Sequence, residues 1–362
     1  MSKCVILCYN DSGGRMNDVE LYEILLMIFI PMIFVGISIP LIKKIAFHIN
    51  ALDIPNERKI HKKPMPRLGG LGIFLGFLLG YMIFGNHTYL MNSILIGSFV
   101  LLITGIIDDI NPLKAKEKLI GQIVASVIVV VYGGIILKDV SFFGIYINFG
   151  PLAYPITILF ILGCINCMNL IDGLDGLAGG ISAIFFLTIG IIAVFKGQFA
   201  LATTLTLIMF GSTVGFLFHN FNPAKIFMGD SGSMFLGLMI AVITILGFKS
   251  VMMTSIIIPL FILVVPILDT TFAIIRRKLK GESVMTPDKC HLHHQLLKRN
   301  FSQRTTVLII YLITILFSTA SIIWILVDKT IGYIIYGVLM FIFIFLVFKT
   351  DILFDRKKGN KA

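Results

Sequence analysis

The feature that most constrains this chain is a succession of apolar segments, each close to the length that crosses a bilayer. A spanning helix needs roughly 20 apolar residues. Such segments lie at about 22–46, 69–85, 92–110, 118–137, 152–170, 177–195, 199–218, 232–247, 253–275, 305–327 and 331–349. Charged residues are only 14% of the 362 residues, against about 25% in soluble domains. The sequence therefore predicts an all-α polytopic membrane protein with about eleven transmembrane helices.

The distribution of Lys and Arg predicts how these helices are oriented. Six of the 30 basic residues lie in the N-terminal segment and the even-numbered connections, and the other 24 lie in the odd-numbered connections and the C-terminal segment. Cytoplasmic loops carry the excess of Lys and Arg. We therefore expect an extracytoplasmic tail at 1–20, a transmembrane domain at 21–350 and a basic cytoplasmic tail at 351–362. The net charge of +11 then reflects membrane orientation, and no nucleic-acid partner is expected.

Residues 169–180 combine an amide, two carboxylates and four glycines within an otherwise apolar region. On a helix, Asn169, Asp172 and Asp175 would share one face. A carboxylate at mid-bilayer costs on the order of 2.5–3.5 kcal/mol, so the cluster should lie at the membrane boundary or line a wet cavity. The alternative is a glycine-rich turn that is polar because it is hydrated.

The first cytoplasmic loop, at 47–68, combines basic residues with turn-forming residues. His61 and Arg67 lie among several lysines, followed by two glycines at the start of the next helix. Attraction to anionic headgroups would explain the charges. It does not explain Pro64, Pro66 and the glycines, which indicate a fixed loop.

Two further loops carry carboxylates typical of a metal site. Asp108 and Asp109 end the third segment, and Asp230 precedes the small-residue start of the eighth. Adjacent carboxylates repel each other unless a cation or water intervenes, and oxygen-only ligands favour Mg²⁺ that also holds a substrate phosphate. The alternatives are a hydrated helix C-terminus at Asp108 and a helix N-cap at Asp230.

The largest cytoplasmic loop contains three of the seven histidines, at 291, 293 and 294. This spacing is a poor zinc motif, and hydrogen bonding to an anionic substrate is favoured. Asp269 is expected to have a structural role. Cys164 and Cys167 are expected to be helix-packing residues.

Carboxylates for a metal, cations for phosphate and a histidine group on one face of the membrane indicate phosphoryl transfer. A transporter for an anionic solute would need polar residues through the membrane depth and on both faces. The outer halves of these segments contain almost none. A transporter is therefore the weaker alternative.

Taken together, the motifs resemble those of the polyprenyl-phosphate N-acetylhexosamine-1-phosphate transferase family, also called glycosyltransferase family 4. The similarity extends over about residues 20–350. The matching stretches are 61–70, Asp108-Asp109 with Lys118 to Gln122, 169–178, 220–232, Asp269 with Arg276-Arg277, and His291-Leu292-His293-His294.

The resemblance implies transfer of a sugar 1-phosphate from a UDP-sugar to undecaprenyl phosphate, with release of UMP. It implies Mg²⁺, with Mn²⁺ as a substitute, held by Asp230 beside Asp108 and Asp109. The resemblance implies catalytic roles for seven residues: Asp108, Asp109, Lys118, Asp172, His291, His293 and His294. It implies substrate binding by six: His61, Arg67, Asn169, Asp175, Asn220 and Phe227, with Phe227 against the uracil. Direct attack by the lipid phosphate is favoured over a covalent carboxylate intermediate.

Two bacterial branches remain open, and the His-x-His-His pattern favours the one that uses UDP-GlcNAc. That branch begins teichoic acid, O-antigen or similar surface polysaccharides, whereas the other makes the first peptidoglycan lipid from UDP-MurNAc-pentapeptide. Gln295 departs from the pattern, since a basic residue is expected there. The resemblance implies a multi-pass protein of the bacterial cytoplasmic membrane with its active site facing the cytoplasm. The oligomeric state is left open, with a homodimer as one candidate.

Overall fold

The structure is a computed structural model that describes residues 21–55, 63–85, 88–142, 145–197, 201–249, 257–279, 281 and 291–349. The predicted tails at 1–20 and 351–362 lie outside the described residues, and so does His61.

The described residues form thirteen α-helices and two short antiparallel strand pairs. The helices are α1 (Leu21–His48), α2 (Gly69–Phe84), α3 (Tyr89–Ile110), α4 (Ala115–Val127), α5 (Ala153–Ile171), α6 (Leu177–Phe195), α7 (Leu201–Asn220), α8 (Gly229–Lys249), α9 (Ile257–Ile262), α10 (Val264–Leu279), α11 (Leu292–Lys298), α12 (Gln303–Leu326) and α13 (Lys329–Lys349). The strands are β1 (Leu52–Asp53), β2 (Met65–Pro66), β3 (Asp139–Phe142) and β4 (Ile145–Asn148). β1 pairs with β2, and β3 pairs with β4.

Each of the eleven predicted apolar segments coincides with helical structure, which confirms the all-α polytopic prediction. Eight helices in the described part of the chain are long and apolar enough to cross a membrane: α1, α3, α5 with the 3₁₀ turn before it, α6, α7, α8, α12 and α13. The second segment is the shorter apolar helix α2. The fourth is α4 followed by a π-helical turn at Ile128–Tyr132. The ninth is divided into α9 and α10, because Pro266 has no N–H to donate to the carbonyl of Ile262.

Helix α8 is the centre of the bundle, and its apolar window is entirely buried. Its neighbours α2, α3 and α5 pack closely because small residues line the contacts. A Cβ at Gly70 would overlap the backbone of Gly232, and a Cβ at Gly105 would overlap the backbone of Ser231. These contacts bring the start of α8 against the start of α2 and the end of α3.

Helix α1 crosses α7 at Gly211 and Gly215, whose Cα atoms lie against the α1 carbonyl groups of Ile28 and Met32. Pro40 cannot donate a hydrogen bond to the Gly36 carbonyl one turn earlier. Nε2 of His219, at the end of α7, lies 2.9 Å from that oxygen. The interhelical contact therefore satisfies a backbone group that the proline leaves unpaired.

Candidate active site

A cavity of about 630 Å³ opens at one end of the helix bundle. Its lining comes from five connections that the charge pattern placed on the same side of the membrane: 47–68, 110–118, 170–177, 220–230 and 276–304. The lining residues are Asp53, Met65, Arg67, Lys118, Asn169, Asp172, Gly173, Leu174, Asp175, Asn220, Asn222, Pro223, Ala224, Phe227, Met228, Gly229, Asp230, His294, Leu297 and Gln303. Nine of the predicted site residues are among them.

Asp108, Asp109 and Asp230 form the carboxylate centre, in which one oxygen of each lies within 4.8 Å of the others. All three are buried, and of the three only Asp230 lines the cavity. Asp108 accepts a hydrogen bond from the Leu113 amide at 2.8 Å, which holds it at the end of α3.

Asp109 caps the N-terminus of α8. Its carboxylate accepts hydrogen bonds from the Asp230 amide at 2.9 Å, the Ser231 amide at 3.3 Å and the Ser231 hydroxyl at 2.9 Å. Free amides and the helix dipole make such a position favourable for an anion. Asp230 itself therefore lies within the first turn of α8 rather than at its N-cap.

Two cations lie against the carboxylate centre. Nζ of Lys118 lies 2.8 Å from Asp108 and 2.7 Å from Asp230. The Arg67 guanidinium lies 3.6 Å from Asp109, 3.7 Å from Asp230 and 3.6 Å from Asp53. Burial alone would lower the pKa of Arg67, but the carboxylates outweigh it and raise that pKa above its usual value.

The described parts of the 47–68 loop, at 47–55 and 63–68, are held by backbone hydrogen bonds. The Arg67 amide donates to the carbonyl of Ala51, and the Phe227 amide donates to that of Pro66. The Gly69 amide returns a hydrogen bond to the Phe227 carbonyl at 2.9 Å. Arg67 and Phe227 therefore lie on adjoining segments of one cavity wall.

Asn169 and Asp172 lie at the end of α5, beside Asp230. The side-chain amide of Asn169 donates a hydrogen bond to the Ser233 hydroxyl at 2.9 Å. Burial and then the charge of Asp230 raise the pKa of Asp172 to about 7, although Arg67 opposes the shift. The carboxylates of Asp172 and Asp230 therefore repel each other, and a cation or a proton near them would lower this repulsion.

Residues 172–176 and 220–228 form one side of the cavity, which we call the loop wall. The Asp175 carboxylate accepts hydrogen bonds from the Asn222 side chain at 3.0 Å and the Ala224 amide at 3.1 Å. The Asn220 side chain accepts from the Gly176 amide at 3.0 Å and donates to the Ile226 carbonyl at 2.9 Å. Asp175 and Asn220 line the cavity and also join the two halves of the wall.

The three histidines take different positions. His294 lines the cavity, whereas His291 and His293 are buried behind it. Nδ1 of His291 lies 3.0 Å from Asp269, which also accepts a hydrogen bond from the Leu292 amide at 2.8 Å. Burial, followed by the neighbouring His294, lowers the pKa of His293 to about 3, although Asp269 opposes this. His293 is therefore neutral at physiological pH.

The structure also brings residues to the cavity that the sequence analysis did not select, among them Asp53, Asn222 and Gln303. Asp53 pairs with Arg67, and its place in the same proline-containing loop was a usable signal. Gln303 begins α12 and has no distinguishing sequence context. The structure does not bring His291 and His293 to the cavity surface.

The carboxylate centre fits a divalent cation by its donor chemistry. It offers oxygen ligands from three carboxylates, and among the described residues two cations, Arg67 and Lys118, lie against them. Carboxylate oxygens are the ligands that Mg²⁺ prefers in proteins.

Comparison with known proteins identifies the group to which this site belongs. The sequence profile of Glycosyl transferase family 4 matches residues 91–248. The chain is 44% identical over 314 residues to a protein of Bacillus subtilis named "Probable undecaprenyl-phosphate N-acetylglucosaminyl 1-phosphate transferase", covering 85% of this chain and 87% of the relative. It is 31% identical over 349 residues to a decaprenyl-phosphate N-acetylglucosaminephosphotransferase of Mycolicibacterium smegmatis, covering 86% and 84% of the two chains.

A third relative, from Salmonella typhi, is named undecaprenyl-phosphate alpha-N-acetylglucosaminyl 1-phosphate transferase. It is 30% identical over 289 residues, covering 77% of this chain and 78% of the relative. These similarities confirm the resemblance drawn from the motifs. The chain belongs to glycosyl transferase family 4, the polyprenyl-phosphate N-acetylhexosamine-1-phosphate transferases.

Proposed function

We propose that this protein transfers N-acetylglucosamine 1-phosphate from UDP-GlcNAc to undecaprenyl phosphate, forming undecaprenyl-diphosphate-GlcNAc and UMP. The observation that carries the proposal is the cavity in which Asp230, Arg67 and Lys118 meet at the end of a membrane bundle. The names of these relatives support GlcNAc and a polyprenyl acceptor.

In this reaction an oxygen of the lipid phosphate attacks the β-phosphorus of UDP-GlcNAc. The bond from that phosphorus to the bridging oxygen breaks, and UMP leaves with the bridging oxygen and its electron pair. Arg67 and Lys118 would neutralise charge on the diphosphate, because both cations reach the cavity beside Asp230. A phosphate monoester is already a competent nucleophile, so direct attack requires no covalent intermediate on the protein.

Asp108, Asp109 and Asp230 would hold Mg²⁺, with Mn²⁺ able to substitute. When bound, such an ion supplies positive charge to the phosphate oxygens. Of the three carboxylates, Asp230 lines the cavity, whereas Asp108 and Asp109 position the ends of α3 and α8 around it.

The loop wall would hold the nucleotide sugar. Phe227, Asn169 and Asp172 line the cavity with the Asp175–Asn222 pair, which provides an aromatic surface and hydrogen-bonding groups for uridine. His294 and Gln303 line the same cavity and are candidates for the sugar or diphosphate.

The enzyme would be located in the bacterial cytoplasmic membrane, with this cavity open to the cytoplasm, where nucleotide sugars are made. The asymmetry of Lys and Arg between alternate loops supports this orientation. Its product would begin a surface polysaccharide such as teichoic acid or O-antigen.

The test is a substrate comparison with the purified full-length protein. Undecaprenyl phosphate and Mg²⁺ are supplied with either UDP-GlcNAc or UDP-MurNAc-pentapeptide, and lipid product and UMP are measured. We expect equimolar lipid product and UMP from UDP-GlcNAc, and none in the matched Asp230→Asn variant. Turnover of the peptide substrate alone would instead assign the protein to peptidoglycan synthesis. Solute flux into proteoliposomes without a lipid acceptor would support a transporter.

A further inference from the structure

Tyr311 lies outside the cavity lining, yet it contacts both halves of the loop wall. It is on α12, eight residues after the helix begins at Gln303. Its hydroxyl donates a hydrogen bond to the Gly176 carbonyl at 2.5 Å. Its ring also lies 6.5 Å, between centroids, from the ring of Phe221. Gly176 belongs to the first half of the wall, and Phe221 belongs to the second.

The Gly176 peptide connects this contact to the cavity. Its amide donates to Asn220, and Asn220 in turn donates to the carbonyl of Ile226, next to Phe227. The backbone of Gly176 therefore links two sets of hydrogen bonds, one to the Tyr311 hydroxyl and one that leads through Asn220 to the cavity-lining segment at Phe227. Asp175, which precedes Gly176, accepts hydrogen bonds from Asn222 and Ala224 and so holds the second half of the wall against the first.

Two glycines provide space for the tyrosine. Gly176 has a φ of 79°, a left-handed conformation that glycine adopts without strain. A Cβ at Gly180, one turn into α6, would overlap the Tyr311 hydroxyl and ring. The glycines of the 169–180 stretch therefore leave room for an aromatic residue of α12, in addition to forming the turn.

We propose that Tyr311 is a positioning residue that fixes the loop wall for binding of the uridine nucleotide. This inference rests on the proposed function, since it assigns the loop wall to the donor substrate. Removal of the hydroxyl leaves the Gly176 carbonyl with the Gly180 amide as its remaining donor and breaks the contact between the wall and α12, so the wall then samples geometries that bind the donor less well. The carboxylate centre, which lies on α3 and α8, is not part of this series of contacts.

The main test compares Tyr311→Phe with Tyr336→Phe. Tyr336 is a buried tyrosine, whereas Tyr311 is half-buried, and the Tyr336 hydroxyl donates to Ser321 at 2.7 Å, joining α13 to α12. Tyr336 does not line the cavity. We expect Tyr311→Phe to raise the KM for UDP-GlcNAc about tenfold, with kcat changed less than about twofold, as loss of one part-buried hydrogen bond would give. The KM for undecaprenyl phosphate should not change. Tyr336→Phe should leave both KM values unchanged at a comparable decrease in melting temperature.

A second pair of variants tests the same contact without removal of the hydroxyl. Gly180→Ala should displace the Tyr311 ring and weaken binding of UDP-GlcNAc, measured by isothermal titration calorimetry. Gly190→Ala is its control on the same helix, because a Cβ there meets Leu207 at an ordinary 3.4 Å. The inference is overturned if Tyr311→Phe and Gly180→Ala bind UDP-GlcNAc as wild type does, or if Tyr336→Phe loses affinity equally. Absence of turnover by the wild-type protein would refute the proposed function instead, and the calorimetric comparison would still decide the role of Tyr311.

Discussion

The carboxylate centre and the histidine cluster are both buried polar groups, and each directs one member into the same cavity. Asp230 lines the cavity, while Asp108 and Asp109 lie behind it. His294 lines the cavity, while His291 and His293 lie behind it. Asp108 and Asp109 accept hydrogen bonds from the Leu113 and Ser231 amides, and His291 lies 3.0 Å from Asp269.

The two clusters differ in what their polar atoms face. The carboxylates face two cations on the cavity side, Lys118 and Arg67. The rear histidines face each other and the protein interior, where burial keeps His293 neutral. We infer that the carboxylate centre makes the electrostatic contribution to catalysis and that the rear histidines mainly shape the loop that carries His294.

The largest expected effect comes from neutralisation of the cavity-facing carboxylate. Asp230→Asn keeps the size of the side chain but removes the charge that faces Lys118 and Arg67. We expect turnover to fall by about 10³-fold, with the melting temperature nearly unchanged. Asp109→Asn should reduce turnover and also lower the melting temperature, because Asp109 caps α8. Wild-type turnover in Asp230→Asn would contradict the assignment of the carboxylate centre.

Removal of divalent metal should further distinguish the role of the carboxylate centre from that of the histidine cluster. We expect EDTA to abolish turnover and Mg²⁺ or Mn²⁺ to restore it, because the carboxylates would hold the ion. Mg²⁺ should raise the melting temperature of the wild type and of His294→Ala, but not that of Asp230→Asn. Full turnover in EDTA would mean that the carboxylates act without a metal.

The smallest expected effects distinguish the front and rear histidines. His294→Ala should lower turnover about 10- to 100-fold without a change in melting temperature, since the side chain lines the cavity. His291→Ala should lower the melting temperature, because Asp269 loses its buried partner. If His291→Ala instead reduces turnover at unchanged melting temperature, both histidines act on substrate and the comparison with the carboxylates fails.

Much of the fold could be predicted because apolar length is a strong local signal in a membrane. All eleven segments coincide with helices, and the described ends of the proline-containing first loop make backbone hydrogen bonds. The β3–β4 hairpin was not predicted, although its aromatic and β-branched residues surround a glycine in the sequence. The division of the ninth segment at Pro266 was not predicted either, because its effect depends on how α9 and α10 pack.

The site was predicted in its residue types and only partly in its arrangement. Asn169, Asp172 and Asp230 do line one cavity with Arg67 and Phe227. The sequence could not separate His294 from His293, since adjacent residues on a short helix point in different directions. Tyr311 gave no signal, because one aromatic residue in an apolar helix resembles any core residue.

By itself, the sequence determined a membrane bundle with its polar groups at one end, because lipid excludes charge from everywhere else. It also determined the family, through ordered motifs in which carboxylates, cations and histidines recur. Only the tertiary structure decided which of those groups face the cavity. That choice depends on helix rotation and on close contacts such as Gly70 with Gly232, Asp109 with the start of α8, and Tyr311 with Gly176. Each contact joins residues distant in sequence, so no local pattern encodes it.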